Sequence, residues 1–195
     1  MLYTFSRSIV RFLYRLLFRL EVRGLSNIPS EGPVILCSNH TSMLDPFTLG
    51  ARVPRKVHYM AKDVLFRIPV VSQLIRGWGA FPVKRGGVSK EAIRTAIKLM
   101  EQGNVMGIFP EGTRNASLGA GKRGAVTIAV RSGAIVVPVA LIGSYRLFRR
   151  MYAIYGAPIR MDDVAADATA RNMEEATNLI MSKIREMMQT RQPSA

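Results

Sequence analysis

Acid is scarce in this chain: 195 residues carry 28 Lys and Arg against 13 Asp and Glu, a formal net charge of +15. Cysteine is scarcer still. Cys37 stands alone, which excludes an internal disulfide and a multi-cysteine zinc cluster. Its place inside the apolar run PVILCS makes it a small buried filler. His40 and His58 are the only histidines, with no Cys or second His beside either, so no metal site is expected. A spanning helix needs about 20 mostly apolar residues, and the longest candidate, Ala134–Gly143, is too short and contains Pro138. Arginine interrupts the N-terminus where a secretion signal would carry its apolar stretch, so no leader is expected. Hydrophobic residues still make up 48% of the chain. That is enough for a packed core and excludes a disordered basic tail, and the length suits one domain of roughly 100–200 residues.

The few acids are unevenly spread. Between Glu111 and Asp162 there is none, whereas Arg114, Lys122, Arg123, Arg131, Arg146, Arg149, Arg150 and Arg160 all fall in that interval. A field of one sign favours an anionic partner: nucleic acid, a phospholipid surface or a phosphorylated small substrate. Near the N-terminus Arg7, Arg11, Arg15 and Arg19 recur at i, i+4, opposite Leu2, Phe5, Ile9, Phe12, Leu13, Leu16, Leu17 and Leu20. This is the pattern of a basic amphipathic helix lying in a membrane interface; the alternative is a surface helix packed on the core. No acid precedes Glu21, and a solvated face usually mixes signs, which favours the membrane. We therefore expect residues 1–22 to form an interface helix, touching an anionic membrane through Arg7, Arg11, Phe12, Arg15, Leu16 and Arg19. A single domain over 23–195 follows. Arg146, Arg149 and Arg150 around Phe148 form either a second lipid-facing patch or a solvated turn, and Trp78 is either an interface anchor or core.

Along the rest of the chain, short apolar runs alternate with helical periodicity. Strands are expected at Pro33–Ser38, Val57–Ala61, Gly79–Val83, Val105–Phe109, Ile135–Ile142 and Ala153–Tyr155. Helices are expected from Asp63 to Ile75, after Ser89 as far as Gly103, at Gly124–Arg131, and from Val164 to Thr190. The alternation predicts an α/β domain with a mixed central sheet flanked by helices.

Several motifs fail on inspection. The string from Gly119 to Gly124 fits G-x-G-x-x-G, but it does not follow a strand directly and no carboxylate lies about 20 residues on to hold a ribose. No G-x-S-x-G elbow occurs.

Two clusters remain. Asn39-His40-Thr41-Ser42-Met43-Leu44-Asp45-Pro46 follows the first buried strand. An imidazole has an unperturbed pKa of about 6.5 and serves as a general base near neutrality. It needs a carboxylate to fix its tautomer. Asp45 can supply this only if His40 lies in a loop or first turn, with Thr41 or Ser42 as a helix cap; otherwise the segment is merely a cap with a bystander His. The second cluster, Phe109-Pro110-Glu111-Gly112-Thr113-Arg114, ends another strand. Gly112 permits close backbone approach and Arg114 offers a fork for phosphate, or the segment is a tight turn with a surface Glu–Arg pair.

Together these motifs carry a resemblance. NHTSMLDP fits the pattern N-H-x4-D, FPEGTR fits a third motif, GAFPVKR at 79–85 resembles a second and IVVPVAL at 135–141 a fourth, in family order. The chain resembles the glycerolipid acyltransferases, and within them the short bacterial lysophosphatidate acyltransferases. The resemblance implies transfer of a fatty acyl group from an acyl thioester, on acyl carrier protein or coenzyme A, to the free hydroxyl of lysophosphatidate. The product would be phosphatidic acid, in phospholipid biosynthesis. It implies His40 and Asp45 as the catalytic pair. Lys84, Arg85, Gly112, Thr113, Arg114 and Lys122 would form the phosphate-binding set, with Glu111 orienting Arg114. It implies no bound cofactor and a place on the cytoplasmic face of the cell membrane, peripheral or monotopic. Glycerol-3-phosphate or another lysophospholipid is an alternative acceptor, and a non-catalytic basic membrane protein an alternative role. A nucleic-acid module would use the same positive field but gives no reason for either motif, so no nucleic-acid partner is expected.

Overall fold

β-Strands form where apolar runs can be covered on both faces, and the run VILCS is buried at every position. The structure is a computed structural model describing residues 8, 10, 12–14, 16–83, 90–111 and 123–194. In chain order the elements are β1 (Leu20–Arg23), β2 (Val34–Ser38), α1 (Asp45–Ala51), β3 (Val57–Lys62), α2 (Pro69–Gly77) and β4 (Ala80–Val83). They continue with α3 (Lys90–Glu101), β5 (Val105–Ile108), α4 (Gly124–Ser132), β6 (Ile135–Gly143), β7 (Met151–Tyr155), α5 (Asp162–Ala166) and α6 (Ala170–Thr190). Ser89, expected to cap α3, lies outside the described residues.

The strands make one seven-stranded sheet in the order β1-β7-β6-β2-β5-β3-β4. Every pairing is parallel except β6 with β7. This is the mixed α/β layer expected, and two apolar layers sandwich it. Ile35, Cys37, Met106 and Val136 pack on one face against Ala96 and Met100 of α3, Val126 and Ile128 of α4, and Ile180 and Ile184 of α6. Val34, Leu36, Val105, Val137 and Tyr155 pack on the other against Leu49 of α1. Alternate residues of β2 thus serve opposite layers, which is why Val34–Cys37 are all apolar and the first polar residue is Ser38 at the strand's end. Pro138 is tolerated within β6 because its carbonyl accepts from the Gly156 N–H, just past the end of β7. The missing N–H faces that same side, so Pro138 gives up one bond at the end of the β6–β7 pairing and none toward β2.

Two expected boundaries change. Leu20, assigned to the apolar side of an N-terminal helix, opens β1 instead, and Glu21 and Val22 follow it into the sheet beside β7. Arg19 makes the switch with φ 42, a left-handed turn that ends helical continuity. An interface helix therefore cannot run to residue 22. The stretch from Asp63 to Ile75 is two pieces, a 3-10 turn at Asp63–Arg67 and then α2. Pro69 divides them by holding Ile68 extended. Trp78 is buried, edge-on to Phe47 at 4.9 Å, so it is core. No helix among the described residues is long and apolar enough to cross a membrane.

Candidate active site

β2 and β5 are adjacent and parallel, with Cys37 opposite Ile108, so the turns leaving their carboxyl ends are neighbours. The chain leaving β2 passes through α1 on one face to reach β3, and the chain leaving β5 returns through α4 on the other face to reach β6. Adjacent strands whose connections diverge in this way open a crevice at the carboxyl edge, where α/β sheets hold ligands. His40 and Glu111 both stand there.

Asn39 sets the exit from β2. Its side-chain amide donates to the Leu141 carbonyl (2.9 Å) and accepts from the Leu141 N–H (2.8 Å). The amide thus stands in for one more rung of the β2–β6 ladder, and the backbone turns out of the sheet. His40 is the next residue. Its ring stacks on Phe109 with centroids 4.2 Å apart and planes 21° from parallel, so the ends of β2 and β5 clamp the imidazole plane.

Asp45 holds the ring from below. Its Oδ2 lies 2.9 Å from His40 Nδ1 and accepts from the N–H groups of Thr41 (2.6 Å) and Ser42 (2.7 Å). The side chain is 0% exposed, against 18% for His40. Neither Thr41 nor Ser42 caps the helix as expected. Asp45 begins α1, its carboxylate folds back over the preceding turn, and Ser42 Oγ accepts from the Leu44 N–H (3.2 Å). Ser42 is thereby a turn residue.

Tyr145 was not singled out from the sequence, yet its hydroxyl donates to Asp45 Oδ1 at 2.6 Å. With that proton committed, its oxygen accepts from Thr48 Oγ1 (2.7 Å). Burial alone would raise the Asp45 carboxyl, but the bonds from His40, Tyr145, Ser42 and Thr41 outweigh it and leave it below the usual carboxylate range. Asp45 is therefore an anion. Burial first, then the Asp45 charge, push the Tyr145 hydroxyl far above its ordinary value, so it stays a donor. Tyr14 adds a second brace by donating to the Leu44 carbonyl (3.1 Å), and Phe18 lies edge-on to Tyr145 at 5.7 Å. With Nδ1 committed to Asp45, Nε2 is the imidazole nitrogen left for a reactant, and no described residue bonds to it.

Glu111, at the end of the β5 turn, is 8% exposed. Burial raises its carboxyl, the His40 N–H and ring lower it in part, and Asp45 raises it again; the net effect is upward. Its Oε1 has no partner among the described residues. β4, parallel to β2 through β3 and β5, ends at Val83 on the same carboxyl edge. The expected phosphate ligands Lys84, Arg85, Gly112, Thr113, Arg114 and Lys122 lie outside the described residues, as do Arg7, Arg11 and Arg15. Phe12, Leu16 and Arg19 are described and exposed.

Other nucleophiles drop out. Cys37 is fully buried and its thiol is pushed up to about 12, and no three His, Cys, Asp or Glu side chains gather to hold a metal among the described residues. A buried carboxylate, an oriented imidazole and an open crevice can together remove a proton from a bound hydroxyl.

Known proteins share this frame. Residues 19–142 match the family described as Acyltransferase. A 1-acyl-sn-glycerol-3-phosphate acyltransferase of Bacillus subtilis is 32% identical over 95% of this chain and 96% of its own length. A protein of the same name from Borreliella burgdorferi is 33% identical over 67% of this chain and 54% of its own. The crystal structure of the 1-acyl-sn-glycerophosphate acyltransferase PlsC from Thermotoga maritima has the same fold, with a TM-score of 0.71 at 23% identity. The match covers 95% of this chain and 78% of that one. The extent of the family match and the full-length likeness to the Bacillus protein show that this chain belongs to the acyltransferase family.

Proposed function

We propose that the protein acylates lysophosphatidate to phosphatidic acid, using a fatty acyl thioester as donor. The observation that carries this reading is the 2.9 Å contact between His40 Nδ1 and Asp45 Oδ2 at the mouth of the β2–β5 crevice, in a chain so like enzymes of that name. His40 Nε2 takes the proton from the acceptor hydroxyl as its oxygen attacks the thioester carbonyl. The tetrahedral intermediate then expels the thiolate, which recovers that proton from the imidazolium, leaving an ester and a free thiol. General-base help of this kind contributes about 10²–10⁴-fold. Asp45 stabilises the imidazolium and fixes its tautomer, and Tyr145 positions Asp45. Arg85 and Arg114, with Lys84, Lys122 and the turn of Gly112 and Thr113, bind the acceptor phosphate, while Glu111 orients Arg114. The acceptor hydroxyl is itself the nucleophile, so no acyl-enzyme forms.

The acceptor is a lipid, and the N-terminal segment gives it a route. Phe12, Leu16 and the neighbouring arginines hold the protein on an anionic surface, at the cytoplasmic face of the cell membrane, as a peripheral or monotopic enzyme. The acyl carrier protein or coenzyme A thioester arrives from the aqueous side.

The test is a panel assay of the purified protein with acyl-coenzyme A and acyl carrier protein thioesters. Lysophosphatidate, glycerol-3-phosphate and other lysophospholipids are offered in turn, following thiol release and the lipid formed. Phosphatidic acid from lysophosphatidate at the highest kcat/KM supports the reading. A higher value for another acceptor replaces it within the same chemistry, and thiol release from none overturns it.

A further inference from the structure

The connection from β6 to β7, residues 144–150, presents opposite chemistries at its two ends. Tyr145 turns inward to Asp45. Leu147 and Phe148 face out, 61% and 60% exposed, with Arg146, Arg149 and Arg150 exposed around them. Phe148 has φ 62, a left-handed backbone that an aromatic residue rarely adopts and that Gly or Asn would take without strain. A turn meant only for water would place such a residue there. The loop is also tied to the N-terminal segment: the Phe148 N–H donates to the Leu17 carbonyl (2.5 Å) and the Met151 N–H to the Phe18 carbonyl (3.1 Å). That segment itself exposes Phe12 and Leu16 at 66% and 54%, so the loop is bonded to a segment that carries exposed apolar side chains of its own. No carboxylate occurs between Glu111 and Asp162 to oppose an anionic partner.

We propose that Leu147 and Phe148 are a lipid contact: the loop tip enters the interface of an anionic bilayer, with Arg146, Arg149 and Arg150 on the lipid phosphates. The proposal rests on the membrane reading given above and adds a second foot to it. Apolar side chains in the acyl boundary and arginines at headgroup level are the two forces that hold interfacial elements. A bilayer satisfies both along one short loop. Because Tyr145 roots the same loop on Asp45, the catalytic pair is held at the surface where a lipid acceptor resides.

The experiment compares the full chain with a Leu147→Ser, Phe148→Asn variant by sedimentation with phosphatidylcholine vesicles, with and without phosphatidylglycerol. Asn accepts the left-handed backbone better than Phe, so the melting temperature should hold or rise while partitioning onto anionic vesicles falls about tenfold or more. Leu179→Ser, at an exposed apolar position on α6, should leave partitioning unchanged. Equal partitioning of the double variant and wild type overturns the loop contact and leaves the N-terminal segment as sole anchor. A wild type that fails to sediment with anionic vesicles overturns the membrane reading itself. A vesicle-free dimer abolished by the double variant assigns the patch to a second copy of this chain and likewise overturns the proposal.

Discussion

The Tyr145 hydroxyl donates to Asp45 Oδ1 at 2.6 Å, across 100 positions of sequence. The bond leaves Oδ2 to His40 and to the Thr41 and Ser42 N–H groups, so both oxygens of the Asp45 carboxylate are fixed. A hydrogen bond to a charged group contributes about 1.5–3 kcal/mol. Tyr145→Phe should therefore lower kcat about tenfold or more, with KM for lysophosphatidate unchanged. In an Asp45→Asn background the same substitution should cost nothing further, because its effect passes through the carboxylate. Equal losses in both backgrounds would make Tyr145 a packing residue only.

Asn39 predicts a joint loss of stability and activity. Its amide makes two buried bonds to the Leu141 backbone, and leaving buried groups unpaired costs about 1–3 kcal/mol each. Asn39→Ala should lower the unfolding free energy by several kcal/mol in chemical denaturation and abolish turnover, because the exit of β2 no longer places His40. Unchanged stability would show that the strand ladder needs no such rung.

Glu111 predicts a pH-dependent stability. Its carboxyl is raised, chiefly by burial, so the folded protein binds that proton more tightly than the unfolded chain does. The favourable contribution is complete below the unfolded value, about 4.3, and is lost as pH rises through the folded value. Glu111→Gln should thus melt higher than wild type at neutral pH, the advantage vanishing below about pH 4, while activity falls. A variant that melts lower than wild type at neutral pH would mean the charge is compensated in the folded state.

Arg114 and Arg85 predict a change confined to acceptor binding. If both bind the acceptor phosphate as proposed, replacing either with Ala should raise KM for lysophosphatidate about tenfold or more and leave kcat nearly unchanged. With a monoacylglycerol, which has no phosphate, Arg114→Ala should match wild type. An unaltered KM for lysophosphatidate would remove the residue from the phosphate site.

Local patterning carried most of the sheet. VILC and IVVPVAL are apolar at consecutive positions because both faces of their strands are covered, and such runs can be read without knowing the partners. β1 escaped because LEVR continues an amphipathic helical pattern up to its first residue. Its true period of two rests on pairing with β7, more than a hundred residues away. The pair His40 and Asp45 was readable as a conditional, since five residues can meet only across a turn, and the turn is there. Its third member was not: Tyr145 lies in a loop rich in arginine, and nothing local marks it as a donor to a carboxylate brought to it by the fold. Asn39 had a signal, standing between a buried strand and a candidate base, but its role depends on where Leu141 falls in the register of β6 with β2.

The most direct measurement is thiol release by wild type and His40→Ala with saturating thioester, in the presence and absence of lysophosphatidate. Wild type should release thiol only when the acceptor is present. The variant should be slower by at least about a hundredfold while still binding lysophosphatidate in a separate equilibrium titration. Turnover by His40→Ala within a few-fold of wild type would contradict the assignment of the imidazole as the base.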